Sequence, residues 1–323
     1  MKKLALFLAK STISLALLWY LFSKTDFSEV LASLRSAHPL WLLLAFSLLY
    51  VGKVLTGYRW QILLEKQGID IPLRTLIASI FVGQFFNTFL PTTVGGDAIR
   101  AYDTAAYSKE STKSITALFL DRLIGVLALA LLAVLGVVVG IWIGEDVSFF
   151  VWPAVGVFLV CLVGFVVIFN RTLAEVLERI ILRFGFIKVA KKVSEAYLAL
   201  DIVKHDLRLL FITFAVSIAL QVNVVFFYYF IALAIDIPVV LLYYFIIVPV
   251  ALIILIVPFS INGIGLREGI FVFLLTGLAV PSQDSIALSL LAFALILTQG
   301  ILGGIIFALR GIDIKELRAN PPT

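Results

Sequence analysis

Two arginines stand at matching places in this chain. Residues 90–100 read LPTTVGGDAIR and residues 257–267 read VPFSINGIGLR; in each, a proline is followed five positions on by glycine and nine positions on by arginine. Pro91, Gly96 and Arg100 thus overlie Pro258, Gly263 and Arg267, with Thr93 over Ser260 and Ile99 over Leu266. Proline removes a backbone donor and stops an incoming helix, and glycine lets the chain turn while leaving backbone N–H groups uncovered. A helix restarting after such a break opens with unpaired N–H groups and a positive dipole end, which favours an anion. Arg100 and Arg267 add planar guanidinium forks that grip a phosphate through two hydrogen bonds. The combination predicts a cationic site, and Gly95, Gly96, Gly263 and Gly265 are the positions where backbone would approach the ligand.

Upstream the sequence agrees. Ile69-Asp70-Ile71-Pro72 places its proline nineteen residues before Pro91, and Ile235-Asp236-Ile237-Pro238 places its own twenty before Pro258. Two anchors at nearly one offset indicate an internal duplication.

The elements that must hold these motifs are membrane helices. The 323 residues are 62% hydrophobic and 14% charged, and mean hydropathy is +1.13, so a soluble fold has nowhere to bury the apolar surface. One cysteine, Cys161, and two histidines, His38 and His205, exclude disulfide frameworks and His- or Cys-built metal centres, and neither a metal nor a cofactor is expected. The net charge of +5 has no aromatic-interleaved basic patch beside it, so it reads as anchoring against anionic lipid rather than nucleic-acid binding.

In chain order, a first helix is expected over Leu4–Phe22, retained rather than cleaved as a signal peptide. A second span starts near Pro39 and ends in Tyr58-Arg59-Trp60, an aromatic and basic end suited to a membrane interface. Residues 115–141, 149–169, 209–233 and 285–309 complete the full spans, each near the ~20 residues a bilayer needs. The segment 170–208 holds Arg171, Arg179, Arg183, Lys188, Lys191, Lys192, Lys204 and Arg208, whereas the turn 144–148 has two acids and no base. Positive charge belongs inside, which makes residues 73–107 enter, turn and leave on the cytoplasmic side, and residues 239–280 do the same from the opposite face.

The expected fold is therefore an all-α polytopic membrane protein built as an inverted repeat, each half holding three transmembrane helices and one re-entrant broken-helix hairpin. Residues 1–169 form the first repeat. A cytoplasmic amphipathic linker follows over 170–207, with an interfacial helix at 173–184. Residues 208–310 complete the second repeat, whose first helix is 149–169, and 311–323 are a cytoplasmic tail. Both termini are expected in the cytoplasm, with the protein in the cell (inner or plasma) membrane.

Intramembrane charge is costly, on the order of 2.5–3.5 kcal/mol per residue on insertion scales, so two arginines at matched positions point to function. The plainer reading is that Arg100 pairs with Asp97 or Asp103, and Arg267 with Glu268, as structural ion pairs. Asp121-Arg122 and Arg59 are secondary candidates, with an interface anchor the plainer role. Asn87 and Asn262 either cap exposed backbone or line a pathway. Lys10 and Lys53 are expected to snorkel to the cytoplasmic surface. Gln221 and Asn223 would join helices, and the aromatic run 226–230 would pack at an interface.

Several of these stretches together resemble a known family. Tyr58-Arg59-Trp60, the run Gly83 to Asn87 leading into Leu90-Pro91 and Gly95-Gly96-Asp97 to Arg100, Leu120-Asp121-Arg122-Leu123, and Pro258 followed by Asn262 to Gly269 are similar to the flippase-like membrane proteins related to the transmembrane region of lysylphosphatidylglycerol synthase. The resemblance implies a lipid-translocating domain with a headgroup site at the broken helices. Full synthases carry a soluble aminoacyl-transfer domain after this region; here the chain stops at Thr323, so no aminoacylating activity is carried over.

The function expected is a lipid flippase or transporter that seats the phosphate of a phospholipid or polyprenyl-phosphate lipid between Arg100 and Arg267, with Asp97 and Glu268 either positioning the arginines or binding a cationic headgroup moiety. No nucleotide-binding motif is present, leaving gradients or mass action as the energy source. The alternatives are a transporter of small soluble anions, served by the same cationic chamber, and an intramembrane headgroup transferase or phosphatase. The latter would have only Asp97, Asp103, Asp121 and Glu268 as nucleophile or base, so no enzyme is expected.

Overall fold

The structure, a computed structural model, describes Ser23 and residues 27–89, 95–183, 206–256 and 263–310. The expected first helix, the turn residues Pro91 and Pro258, and Asn262 lie outside the described residues.

Without water to satisfy backbone groups, an apolar chain closes its hydrogen bonds within helices. Eleven occur among the described residues, and no strand. They are α1 (Phe27–Ser36), α2 (Pro39–Lys66), α3 (Leu73–Phe89), α4 (Gly95–Ser108), α5 (Ser111–Ile143), α6 (Ser148–Phe169), α7 (Arg171–Arg183), α8 (Leu207–Ala234), α9 (Leu241–Ile256), α10 (Leu266–Thr276) and α11 (Ser282–Arg310). Four stretches are long and apolar enough to cross a membrane: Pro39–Lys66, Lys113–Ile143, Leu207–Ala234 and Ser282–Arg310. Large apolar side chains cover the outside, with Trp142 and Trp152 at 83% and 80% exposure near the ends of α5 and α6, as lipid-facing and interfacial aromatic residues are. A helix, α7, covers most of residues 173–184, where an interfacial helix is expected.

The helix ends sort into two layers. At one, Lys66 pairs with Asp206 at 2.6 Å, and Arg310 reaches both Asp103 at 3.2 Å and the Thr75 carbonyl at 3.4 Å. At the other, the Ser33 hydroxyl donates to Asp284 at 2.8 Å, the His38 N–H to the Ala234 carbonyl at 2.7 Å, and the Tyr243 hydroxyl to Glu145 at 2.9 Å. The pair α3–α4 begins and ends in the first layer. The pair α9–α10 begins in the second, and Gly277, just past α10, lies there against the Phe149 ring.

Helix neighbours repeat under exchange of the two halves. α2 packs on α3 as α8 packs on α9; α3 on α4 as α9 on α10; α4 on α5 as α10 on α11; and α5 on α9 as α11 on α3. In that last relationship α5 lies on α9 and α11 on α3. Two glycines 167 residues apart permit it: a Cβ on Gly136 would fall 2.7 Å from the Ile246 side chain, and one on Gly303 would fall 1.9 Å from the Phe81 carbonyl oxygen.

The Ile-Asp-Ile-Pro match proves to be two residues out of structural register. α2 and α8 end 168 residues apart, α3 and α9 start 168 apart, and the left-handed Gly68 (φ 78°) corresponds to Asp236 (φ 55°). The apolar residue after each turn donates five positions back, Ile69 to Leu64 and Ile237 to Ala232. What repeats is an in–out alternation after a helix end, which the shared letters satisfy at a neighbouring offset of 166.

Candidate functional site

α2, α4 and α5 bring one charged network together. Asp121 of α5 accepts from Arg59 Nε at 2.6 Å and from Arg100 Nη2 at 3.3 Å. Arg59 also donates to the Ser217 hydroxyl of α8 at 2.7 Å, and a Cβ on Gly125 would stand 3.4 Å from its guanidinium, so the glycine leaves its berth open. Asp97, in the first turn of α4, lies 3.8 Å from Arg100 and is paired with Arg122. Arg100 further stacks over the Trp60 ring at 4.1 Å. Arg59, Arg100, Trp60 and Asp121 are all buried, while the Arg122 side chain is half exposed. Three guanidinium groups therefore share two carboxylates. Arg100 Nε and Trp60 Nε1 are buried donors without a hydrogen-bond partner among the described residues.

This geometry corrects several expectations. Arg100 pairs with Asp121 and Asp97, whereas Asp103 goes to Arg310. Arg59 and Asp121 are buried partners rather than interface anchors, because two polar residues that are costly singly in hydrocarbon find each other across helices. Lys53 does not snorkel; its ammonium donates to Gln84 Oε1 at 2.8 Å, and Gln84 in turn donates to Thr88 at 3.1 Å. Phe227 and Tyr228 of the aromatic run are buried in the core beside Phe271, not interfacial. Gln221 does join helices, donating to the Gly125 carbonyl at 3.2 Å.

The second motif builds a smaller, self-contained network. Arg267 Nη2 meets Glu268 Oε1 at 2.6 Å, its Nε donates to Ser289 at 2.9 Å, and the guanidinium lies 4.6 Å from the Phe293 ring centroid. Arg267 thus reaches a residue 22 positions on, as Arg100 reaches Asp121 21 positions on. The carboxylate has moved from the closing helix to the neighbouring position, and this pair is neutral.

The helix starts are not bare. The Asn87 side-chain oxygen accepts from the Gly96 N–H at 2.8 Å, and Glu268 accepts from the Gly265 N–H at 2.7 Å. Asn87 is therefore a cap, one of its two expected roles. Gly96 is held so close to α3 that an added Cβ would sit 2.3 Å from the Gly83 carbonyl oxygen. Gly95 opens α4, and Gly263 and Gly265 have φ of 74° and 79° at the start of α10, a conformation glycine adopts without penalty.

Among the described residues no hydrogen bond or ion pair joins the Arg100 and Arg267 networks. Arg59 meets α8 at Ser217, and Tyr228 of α8 stacks on Phe271 one turn after Arg267; these contacts lie eleven residues, about 16 Å, apart along α8. Beside the first network lies a cavity of about 400 Å³, lined by Arg59, Asp121, Arg122, Phe119, Leu129 and, from the end of α9, Ile256. Trp60 and Lys53 were missed by sequence reasoning, although Trp60 sits directly beside Arg59.

Apolar helices long enough to cross a bilayer, lipid-facing surfaces and buried ion pairs between helices define a polytopic membrane protein. The chain belongs to the family described as the lysylphosphatidylglycerol synthase TM region, whose model matches residues 7–304. It is also similar to a protein named UPF0104 membrane protein from Methanothermobacter thermautotrophicus, with 33% identity over 122 residues, 37% of this chain and 36% of that protein. The match thus spans about a third of that relative's length.

Proposed function

We propose that this chain is a lipid flippase or transporter that binds the phosphate of a membrane lipid at the Arg59–Arg100–Arg122 cluster. The observation that carries the reading is the surplus of positive charge: three guanidinium groups against two carboxylates, with Lys53 nearby, beside a cavity within an apolar bundle. Uncompensated charge in a low-dielectric interior calls for a counter-ion, and a phosphate matches the planar donors of arginine. The neutral Arg267–Glu268 pair then serves as a structural counterpart rather than a second half of the phosphate clamp.

The pairs α3–α4 and α9–α10 are read as re-entrant hairpins of an inverted repeat. In support, α3 and α9 each lead into one of the two matched Pro-Gly-Arg motifs, at residues 90–100 and 257–267. Each pair also begins and ends in one layer, and helix neighbours repeat when the halves are exchanged. The layer holding Lys66, Arg208 and Arg310 is assigned to the cytoplasm and the one holding Glu145, Asp146 and Asp284 to the opposite side of the cell membrane.

The test is leaflet exchange of labelled phospholipid, and separately of a polyprenyl phosphate, in proteoliposomes. Wild-type protein accelerates exchange, and Arg122→Glu, a half-exposed position, abolishes it while the protein stays monodisperse. Unchanged exchange in Arg122→Glu and Arg100→Glu would sink the reading, and flux of small anions without lipid exchange would replace it with a solute transporter.

A further inference from the structure

The phosphate site is one end of a longer amphipathic track. On α5, Arg122, Val126 and Leu129 line the charged cavity, and Leu132, Gly136 and Val139 continue the same helix face at three- and four-residue spacing. These last three line a second cavity, about 300 Å³, closed on the other side by Leu241, Leu242 and Phe245 of α9. α9 runs antiparallel to α5, so its end at Ile256 borders the charged cavity and its start at Leu241 borders the apolar one.

Resting on the lipid-transport reading, we propose that the α5–α9 groove holds one acyl chain of the lipid whose phosphate sits at Arg122. Charge complementarity fixes which end is which, and length agrees. From Arg122, the last polar lining residue on α5, to Val139 is seventeen residues, about 25 Å, within a ~30 Å hydrocarbon core. At Gly136 α5 lies close against α9, an added Cβ falling 2.7 Å from the Ile246 side chain, and the two cavities lie on either side of the Leu129–Leu132 turn. The track also has a direction. Its phosphate end lies toward the layer of Lys66 and Arg310 and its apolar end toward the layer of Glu145 and Tyr243.

The experiment uses full-length protein in nanodiscs containing phosphatidylglycerol with a photoactivatable diazirine in its acyl chain. After irradiation, mass spectrometry maps the labelled residues. Label concentrated on residues 132–139 and 241–245, competed by unlabelled phosphatidylglycerol and lowered about tenfold by Arg122→Glu through loss of charge-assisted hydrogen bonds, is the expected result. Val139→Trp, at an exposed position, should fill the track and remove groove labelling without altering folding. Label spread equally over lipid-facing residues such as Phe211 and Trp152, or groove label indifferent to Arg122→Glu, overturns the track. In that case loss of leaflet exchange in Arg122→Glu would still uphold the transport reading, whereas exchange retained in both Arg122→Glu and Arg100→Glu would remove both.

Discussion

Arg59 and Asp121, 62 residues apart in sequence, meet at 2.6 Å with at most 5% of either side chain exposed. Asp121 also holds Arg100, so it is the shared counter-ion of two buried guanidinium groups. Asp121→Asn should therefore cost on the order of 3–5 kcal/mol, the penalty for leaving buried charge unpaired. Arg59→Met should cost clearly less, because Asp121 keeps Arg100. Thermal unfolding followed by tryptophan fluorescence in one detergent checks the order; equal effects would mean that Asp121 does not hold both arginines.

A second prediction concerns close helix approach. Gly303→Ala places a methyl group 1.9 Å from a backbone oxygen of α3, where no side-chain rotation relieves it, so a loss at or beyond the ~1–3 kcal/mol of ordinary overpacking is expected. Gly156→Ala on α6 meets nothing within 4 Å and should be neutral or slightly stabilising. Comparing the two Tm values removes the shared effect of alanine propensity.

The cap of α4 rests on a single side chain. Asn87→Ala should destabilise by about 1 kcal/mol through loss of the acceptor for the Gly96 N–H, and Asn87→Asp, which keeps an acceptor, should retain most of the stability. Faster hydrogen exchange at Gly96 in the alanine variant, and not in the aspartate one, would identify the cap as the cause.

Asp206 gives a pH signature at the Lys66 end. The hydrogen bond from the Lys66 ammonium, then that from the Leu209 N–H, holds its carboxyl below the usual carboxylate range. A lowered folded-state pKa means stabilisation present above the unfolded value of about 3.9 and lost as pH falls through the folded one. Tm should be insensitive to this pair from neutrality down to mildly acid pH and decline below it. Asp206→Asn should flatten that decline while changing the neutral Tm little, because the pair is exposed. An unaltered acid profile in the variant would assign the decline to other groups.

The sequence carried the helices and the paired motifs further than it carried the contacts. The two matched motifs located α4 and α10, which begin at Gly95 and directly after Gly265. Partners were harder to read. α2 and α5 are apolar around most of their circumference, so no stripe announces that Arg59, Trp60 and Asp121 turn inward while Tyr58 and Arg122 turn out. Lys53 was assigned to the surface because snorkelling is the usual fate of a membrane lysine; Gln84, 31 residues away, provided a closer partner. Likewise the Ile-Asp-Ile-Pro letters marked the two turns but not their register, since burial alternation tolerates a slip of two.

The crossed packing of α5 on α9 and α11 on α3 bears on how the molecule is made. When α3 leaves the ribosome, the helix that will cover it is still over 190 residues from synthesis, α11 beginning only at Ser282. Through that interval the close seat around Phe81 must be filled by lipid or by an insertion partner, and assembly completes only when the last described helix displaces whatever stands there. Severing the chain between α5 and α9 should therefore leave two fragments that recover a native arrangement only in each other's company.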